Sequence, residues 1–244
     1  MELESYNILN ERVSSNWYNI SRRLLIKKLI KKLKIKFENP LDIGCGVGQN
    51  SLLLKELSES KTVVGIDFVD EAIKFCKEMG INAYKGDLEK KETLPKDKFD
   101  FILLSDVLEH VNDEIAMKNV IEISNGYLFI VVPMYNFLWG DIDIASHHKK
   151  RYTESGILKL LKENNLKIVY KNYGNFFAFF PDLFLTFFQR LRNKERGSIS
   201  TGPKILNKLF LLIAKLEIAL MSFIKYPFGV EIVVIAKKSR ERIV

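Results

Sequence analysis

The turn Asp42-Ile43-Gly44-Cys45-Gly46-Val47-Gly48 follows the short run Pro40-Leu41-Asp42-Ile43 and precedes Leu52, Leu53, Leu54 and Leu57 at helical spacing. Strand, tight turn and helix in that order form the first unit of a parallel α/β sheet. Glycines in such a turn let the backbone come close to a ligand, and the helix behind them offers unpaired N–H groups and the positive end of its dipole. The third glycine stands at position 48, and Gln49 occupies the place where a dinucleotide fingerprint requires glycine. The spacing therefore argues for a nucleotide-like ligand other than a dinucleotide.

The alternation continues along the chain. Residues 63–67 read as a second strand, 71–79 as its helix and 82–85 as a third strand ending near Asp87; residues 99–104, 113–124 and 127–132 read as strand, helix and strand. Such alternation predicts a mainly parallel sheet covered on both faces. Before it, residues 22–34 place Leu24, Leu25, Leu29, Ile30 and Leu33 on one helical face, with Lys27, Lys28, Lys31, Lys32 and Lys34 opposite. Residues 134–153 show no period and are expected to form a long loop of the kind that carries function. A helix at 154–163, a strand at 167–173 and a last strand at 230–236 follow. Between those strands lie two apolar helices, 183–191 and 205–224, joined by a Gly/Ser/Thr linker at 197–202. The organisation predicted is an N-terminal helical segment (1–36), a core (37–173 and 230–244) and a helical insertion (174–229).

Composition narrows the class. With 47% hydrophobic residues in 244 and no repeat, the chain is neither disordered nor fibrous. Pro181, Asp182, Lys215 and Glu217 interrupt the apolar helices before about 20 apolar residues accumulate, so membrane spans are not expected. They read as a cap, with a dimer contact or a membrane-surface element as the alternatives. Cys45 and Cys76 have neither metal spacing nor a second pair, no metal site is expected, and a reducing cytoplasm fits them. The opening Met1-Glu2-Leu3-Glu4-Ser5 lacks the pattern of a secretory signal. A net charge of +8 favours anionic partners without choosing among nucleic acid, acidic lipid and phosphate-bearing substrates, and a lysine-rich source composition explains it equally well.

Two carboxylates add meaning to the glycines. Asp67 ends the second strand about 20 residues beyond the turn, where a carboxylate accepts from both hydroxyls of a ribose. Asp87 ends the third strand, where it can accept from an adenine amino group while the Leu88 backbone meets the ring edge. At these residues, and at Gly65-Ile66-Asp67, Gly86-Asp87-Leu88 and Asp106-Val107-Leu108-Glu109-His110-Val111, the chain resembles the class I S-adenosylmethionine-dependent methyltransferases. The resemblance implies a Rossmann-like, doubly wound α/β fold: a mainly parallel seven-stranded sheet with an antiparallel last strand. It implies S-adenosyl-L-methionine as cofactor and S-adenosyl-L-homocysteine as product. Asp42, Gly44, Cys45, Gly46 and Gly48 would surround the methionine portion, Asp67 and Phe68 the ribose, Asp87 and Leu88 the adenine, while Ser105 and Asp106 would close the pocket.

A narrower resemblance, to a type 11/12-like subgroup associated with sugars, lipids and lipid-linked glycans, rests on Leu138-Trp139, Asp143, His147-His148-Lys149-Lys150-Arg151-Tyr152 and Pro227-Phe228-Gly229. Asn16-Trp17-Tyr18 with Arg22-Arg23 resembles that subgroup's N-terminal element, but Asn16 stands where a histidine is expected. The acceptor-side candidates are Trp17, Tyr18, Arg22, Glu109, Trp139, Asp143, His148 and Tyr152. For a hydroxyl acceptor, His110 or His147 could remove the proton and Arg151 could orient an anionic group. The expected partner is a small-molecule, glycan or lipid-linked acceptor, with a homodimer or peripheral membrane contact left open. Nucleic acid is disfavoured: Leu104-Ser105-Asp106 lacks the Asp/Asn-Pro-Pro-aromatic element used on bases, and no RNA-binding module is attached. A non-catalytic partner subunit would show a damaged pocket, whereas the glycines, Asp67 and Asp87 are all in place.

Overall fold

A computed structural model describes residues 14–191 and 204–238; the linker expected at 197–202 lies outside them. Seven strands form one sheet: β1 (Pro40–Ile43), β2 (Val64–Asp67), β3 (Asn82–Lys85), β4 (Phe99–Ser105), β5 (Ser124–Pro133), β6 (Leu166–Gly174) and β7 (Glu231–Lys238). Their order is β3-β2-β1-β4-β5-β7-β6. β7 runs antiparallel to both of its neighbours, and the pairs from β3 to β5 are parallel. This is the Rossmann-like arrangement expected from the sequence.

The middle of the sheet carries the core. Phe101, Leu103, Phe129, Ile130, Val233 and Val234 are fully buried. Strands covered on both faces read as continuous apolar runs because both sides of the pleat need apolar side chains. Each such side chain contributes about 1.5–3 kcal/mol by leaving water. Helix α1 (Trp17–Lys32) buries Leu25, Ile26, Leu29 and Ile30, and Arg22 is buried on the same helix. Its cap is Asn16, whose side chain accepts from the Tyr18 N–H at 2.8 Å. Helices α2 (Gln49–Leu57), α3 (Asp70–Glu78) and α4 (Asp113–Ile123) follow β1, β2 and β4.

The stretch expected as a long loop contains more structure than its sequence suggests. It holds a single 3-10 turn, Asn136–Leu138, and a short helix α5 (Asp141–Ala145). The Gly140 N–H donates to Asp143 Oδ2 at 2.8 Å, so a carboxylate at the third helical position starts a helix too short to show a period. Helix α6 (Glu154–Glu163) leads into β6. In the insertion, α7 (Phe179–Leu191) starts before Pro181, because a proline in the first turn lacks only an N–H that has no helical partner. Helix α8 (Lys204–Leu220) stops short of residue 224, the Phe223 and Ile224 N–H groups both donating to the Leu220 carbonyl. It packs on α1, with Trp17 stacked on Phe210 (centroids 5.4 Å apart) and the Trp17 N–H donating to Asn207 Oδ1 at 2.8 Å.

Candidate active site

The glycine turn, the ends of β2, β4 and β5 and the start of β7 all lie at the carboxyl edge of the parallel strands. The strand order reverses between β1 and β4, and open α/β sheets bind ligands in the crevice at that point. Gly44, Gly46 and Gly48 have φ of +70°, +51° and +74°, a region that side-chain-bearing residues enter at a cost. A Cβ on Gly44 would lie 2.7 Å from Val107 Cγ2, and one on Gly48 would lie 2.6 Å from Ile81 Cδ1. A Cβ on Gly46 would meet nothing within 4 Å. Two glycines are thus required by packing, whereas Gly46 borders open space of the kind a ligand lying against the backbone needs.

Asp67 stands beside this opening, its Oδ2 accepting from the Gly46 N–H at 2.9 Å and its Oδ1 from the Val69 N–H at 3.0 Å. Each carboxylate oxygen keeps further accepting capacity for ribose hydroxyls. Behind the turn, Asp42 is buried and Ser51 Oγ donates to its Oδ2 at 2.5 Å. Burial, with Asp67 nearby, pushes its carboxyl up to about 7 against the opposing hydrogen bond from Ser51. Cys45 is buried with its Sγ 3.7 Å from Cys76 Sγ, and that contact and burial raise its thiol pKa, keeping it protonated. Phe68 projects into solvent, 73% exposed, at the rim. Asp87 accepts from the Glu89 N–H at 2.9 Å and pairs with Lys90 at 3.4 Å, which ties it to its own turn, and Leu88 is buried beneath it.

Across the crevice, Asp106 is the meeting point. Its backbone has φ +56°, Ser105 Oγ donates to its Oδ2 at 3.2 Å, and the Tyr18 hydroxyl lies 3.1 Å from its Oδ1. Arg22 Nη2 pairs with Asp106 at 3.1 Å and with Glu231 at 2.6 Å, and it donates to the Tyr18 hydroxyl, itself 3.1 Å from Glu231 Oε2. Burial works against the Arg22 charge, but Asp106 and Glu231 hold its pKa above the ordinary value. Burial pushes the Glu231 carboxyl up to about 7, against the pull of Arg22. Glu231 was not among the sequence candidates; its one signal is a lone carboxylate in the otherwise apolar run Val230-Glu231-Ile232-Val233-Val234. Ser51 was likewise missed, since a serine inside a helix carries no mark of the carboxylate it serves.

The loop after β5 supplies the third group. Asp143 is fully buried and accepts from Arg151 Nε at 2.8 Å, with His148 Nδ1 at 2.8 Å from the same oxygen. Burial opposes the Asp143 charge, but the hydrogen bonds from His148 and Arg151 outweigh it and lower its carboxyl to about 2. The His148 ring meets that of His110 edge-on, centroids 4.7 Å apart, and Glu109 is fully buried beside them. His147 is exposed, with φ +56°, and touches the group through its backbone, which hydrogen-bonds the His110 ring. Arg151 is buried, its Nε donating to Asp143 and its Nη1 to the Met134 carbonyl (3.3 Å), so these two nitrogens brace the loop. Tyr152 is also internal: its hydroxyl donates to Asp113 Oδ2 at 2.8 Å. Trp139 is half-buried near α7, its carbonyl accepting from Arg190 Nη2 at 3.3 Å.

A sheet of this order, with a glycine turn and a strand-end carboxylate at the switch point, is the arrangement of the class I S-adenosylmethionine-dependent methyltransferases. The chain belongs to that class: residues 18–171 match the family described as "Methyltransferase domain". It is 30% identical over 185 residues to a ubiquinone biosynthesis O-methyltransferase of Pelagibacter ubique, covering 63% of this chain and 74% of that protein. It is 34% identical over 106 residues to an uncharacterized methyltransferase of Schizosaccharomyces pombe, covering 39% of this chain and only 40% of that protein. Among solved structures, a SAM-dependent methyltransferase from Archaeoglobus fulgidus shares the fold with a TM-score of 0.57 at 22% identity, covering 96% of this chain and 99% of that one. The enzyme is an S-adenosylmethionine-dependent methyltransferase, of the type 11/12 kind.

Proposed function

We propose that the chain moves the methyl group of S-adenosylmethionine to a hydroxyl oxygen of a small, sugar-like or lipid-linked acceptor. The carrying observation is the group formed by Glu109, His110 and His148 at the carboxyl end of β4. A sulfonium donor needs only an acceptor held in line with the S–CH₃ bond and freed of its proton. A hydroxyl needs help with that proton near neutral pH, and imidazoles are the side chains suited to assist. The glycines, Asp42 and Asp67 hold the cofactor in this reading, with Phe68, Asp87 and Leu88 around its adenosine and Ser105 and Asp106 between cofactor and acceptor. Tyr18, Arg22, His110 and His148 face the acceptor; Trp17, Trp139, Asp143, Arg151 and Tyr152 shape that side from behind, and His147 takes no part. The oxygen acceptor of the Pelagibacter relative supports the choice over nitrogen. Labelled methyl transfer from S-adenosylmethionine into fractionated extracts tests the proposal. Label is expected in lipid or glycan fractions, and label confined to RNA or protein overturns it.

The exposed insertion favours a second reading about where the enzyme works. Phe184, Leu185 and Phe188 of α7 and Leu212 and Leu216 of α8 are exposed, although no helix among the described residues is long and apolar enough to cross a membrane. A groove of about 640 Å³ beside α8 is lined by Lys27, Lys28, Lys31, Lys32 and Lys215. Exposed aromatic and leucine side chains, together with a lysine cluster between α1 and α8, suit an anionic lipid surface, which lies within reach of a lipid-linked acceptor. Flotation with phosphatidylserine vesicles at low salt should carry the protein upward. Protein left at the bottom as a dimer would assign the apolar face to a second copy instead.

A further inference from the structure

We propose that Glu109, His110 and His148 form a binding site for one divalent cation of the zinc type on the acceptor side of the cofactor. One ligand atom from each residue lies within 4.8 Å of the other two. A tetrahedral site with bonds of about 2.0–2.2 Å places its ligand atoms roughly 3.4 Å apart, a distance that side-chain rotation can close. Two imidazoles and a carboxylate are a donor set suited to zinc-like ions.

Glu109 supplies the second observation. It is fully buried, and neither of its carboxylate oxygens has a hydrogen-bond partner among the described residues. Arg22, whose charge acts on Glu109, is bonded to Asp106, Glu231 and Tyr18, and no ion pair joins it to Glu109 among the described residues. A buried carboxylate with no partner is disfavoured in its charged form, and a bound cation removes that penalty.

The third observation is the orientation of His148. Its Nδ1 is held by Asp143, which is held in turn by Arg151 and the Gly140 N–H, so Nε2 is left to carry the free lone pair. A carboxylate on the far nitrogen is the usual support of a metal-binding imidazole. The motif residues Asp143, His148 and Arg151 thereby acquire one shared purpose. Three protein ligands leave a coordination position for a water or an acceptor oxygen, and a bound hydroxyl ionises near neutral pH. In the methyl transfer proposed above, the acceptor proton goes to bulk water, the new O–C bond forms as the C–S bond breaks, and the electron pair passes to sulfur. This last step rests on the hydroxyl-acceptor reading, whereas the cation site does not.

The test uses the full chain, stripped with EDTA and titrated with zinc chloride against a chromophoric chelator. One zinc per chain is expected, held at about micromolar concentration or below. Glu109→Gln and His148→Ala should each weaken binding by about tenfold or more. His147→Ala, which removes a neighbouring histidine outside the cluster, should leave binding unchanged. Cobalt(II) loading of the unsubstituted chain should give visible bands that zinc abolishes, a readout that does not depend on any variant folding. No stoichiometric zinc at about 10 micromolar, or equal loss on His147→Ala, overturns the site. Binding that survives both Glu109→Gln and His148→Ala lies elsewhere on the chain and overturns the site too. S-adenosylhomocysteine binding on the same samples separates the readings: a chain that binds this product but no zinc loses the cation site and keeps its methyltransferase assignment. One that binds zinc but methylates only nitrogen keeps the site and loses the hydroxyl.

Discussion

Alanine at Gly46 and alanine at Gly48 should fail in different ways. Both positions have left-handed backbone, φ +51° and +74°, so each substitution costs about 1–2 kcal/mol of strain. At Gly48 the added Cβ also meets Ile81 Cδ1 at 2.6 Å and Cys76 Sγ at 3.1 Å. Both are core side chains packed under the turn, and overpacking of this kind costs about 1–3 kcal/mol more. The total for Gly48→Ala is therefore roughly 2–5 kcal/mol, a large part of the 5–15 kcal/mol that holds a typical domain together. At about 2–4 °C per kcal/mol, its melting temperature should fall by roughly 4–20 °C. At Gly46 the Cβ meets nothing, so only the strain remains, but that Cβ would fill the space in which the cofactor is proposed to lie. Gly46→Ala should keep most of its stability and lose affinity for S-adenosylhomocysteine by about tenfold or more, about 1.4 kcal/mol. Urea denaturation without ligand and calorimetric titration with S-adenosylhomocysteine read the two quantities separately. Equal stability losses at the two positions, or Gly46→Ala binding within about twofold of the parent, would refute the division between a packing glycine and a cradle glycine.

Asp67→Ala removes the acceptor of the Gly46 and Val69 N–H groups and the proposed partner of the ribose; affinity for S-adenosylhomocysteine should fall by about 10–100-fold, and an unchanged titration would take Asp67 out of the pocket. The Asp42 carboxyl, raised from 3.8 to about 7, contributes stability that is fully present below its unfolded value and lost as the pH rises through 7. Between pH 5 and 7 the cofactor-free chain should lose on the order of 1.4 kcal/mol per unit from this group. Asp42→Asn should flatten that slope in urea denaturation, and parallel pH profiles would contradict the assignment. Arg22→Met strands the buried carboxylate of Glu231 and weakens the hold on Asp106; it should cost about 3–5 kcal/mol, and a loss below about 1 kcal/mol would show that the cluster carries little stability.

The parts that were legible in the sequence are those whose cause is local. β1, β4, β5 and β7 declare themselves because a strand buried on both faces is mostly apolar, and the turn declares itself because glycine is needed within a few residues of the strand end. Asp67 could be placed because its distance from the turn is fixed by one helix and one strand. Helix α5 was missed because its five residues are held by a capping carboxylate, not by a repeating apolar face. Arg151 suits an anionic acceptor or a loop anchor equally by residue type, and only the structure shows its bond to Asp143, eight positions away. Glu231 was missed because its partner Arg22 is 209 positions away, and no window of sequence contains both.

Asp106 explains how such distant pieces come to act on one crevice. It closes β4, and its N–H donates to the Val131 carbonyl of β5 at 3.1 Å, which fixes where the chain leaves the sheet. Its φ of +56° turns that exit sharply, and aspartate is among the few non-glycine residues that enter the left-handed region routinely. The turn sends its side chain to Tyr18 and Arg22 of α1, and through Arg22 to the start of β7. The next residue, Val107, lies against Gly44, where no Cβ would fit. One strained residue therefore joins the cofactor turn to the N-terminal helix and the last strand. Glu109 and His110 come three and four positions after it, so the groups proposed to face the acceptor take their position from the same turn that borders the glycine turn.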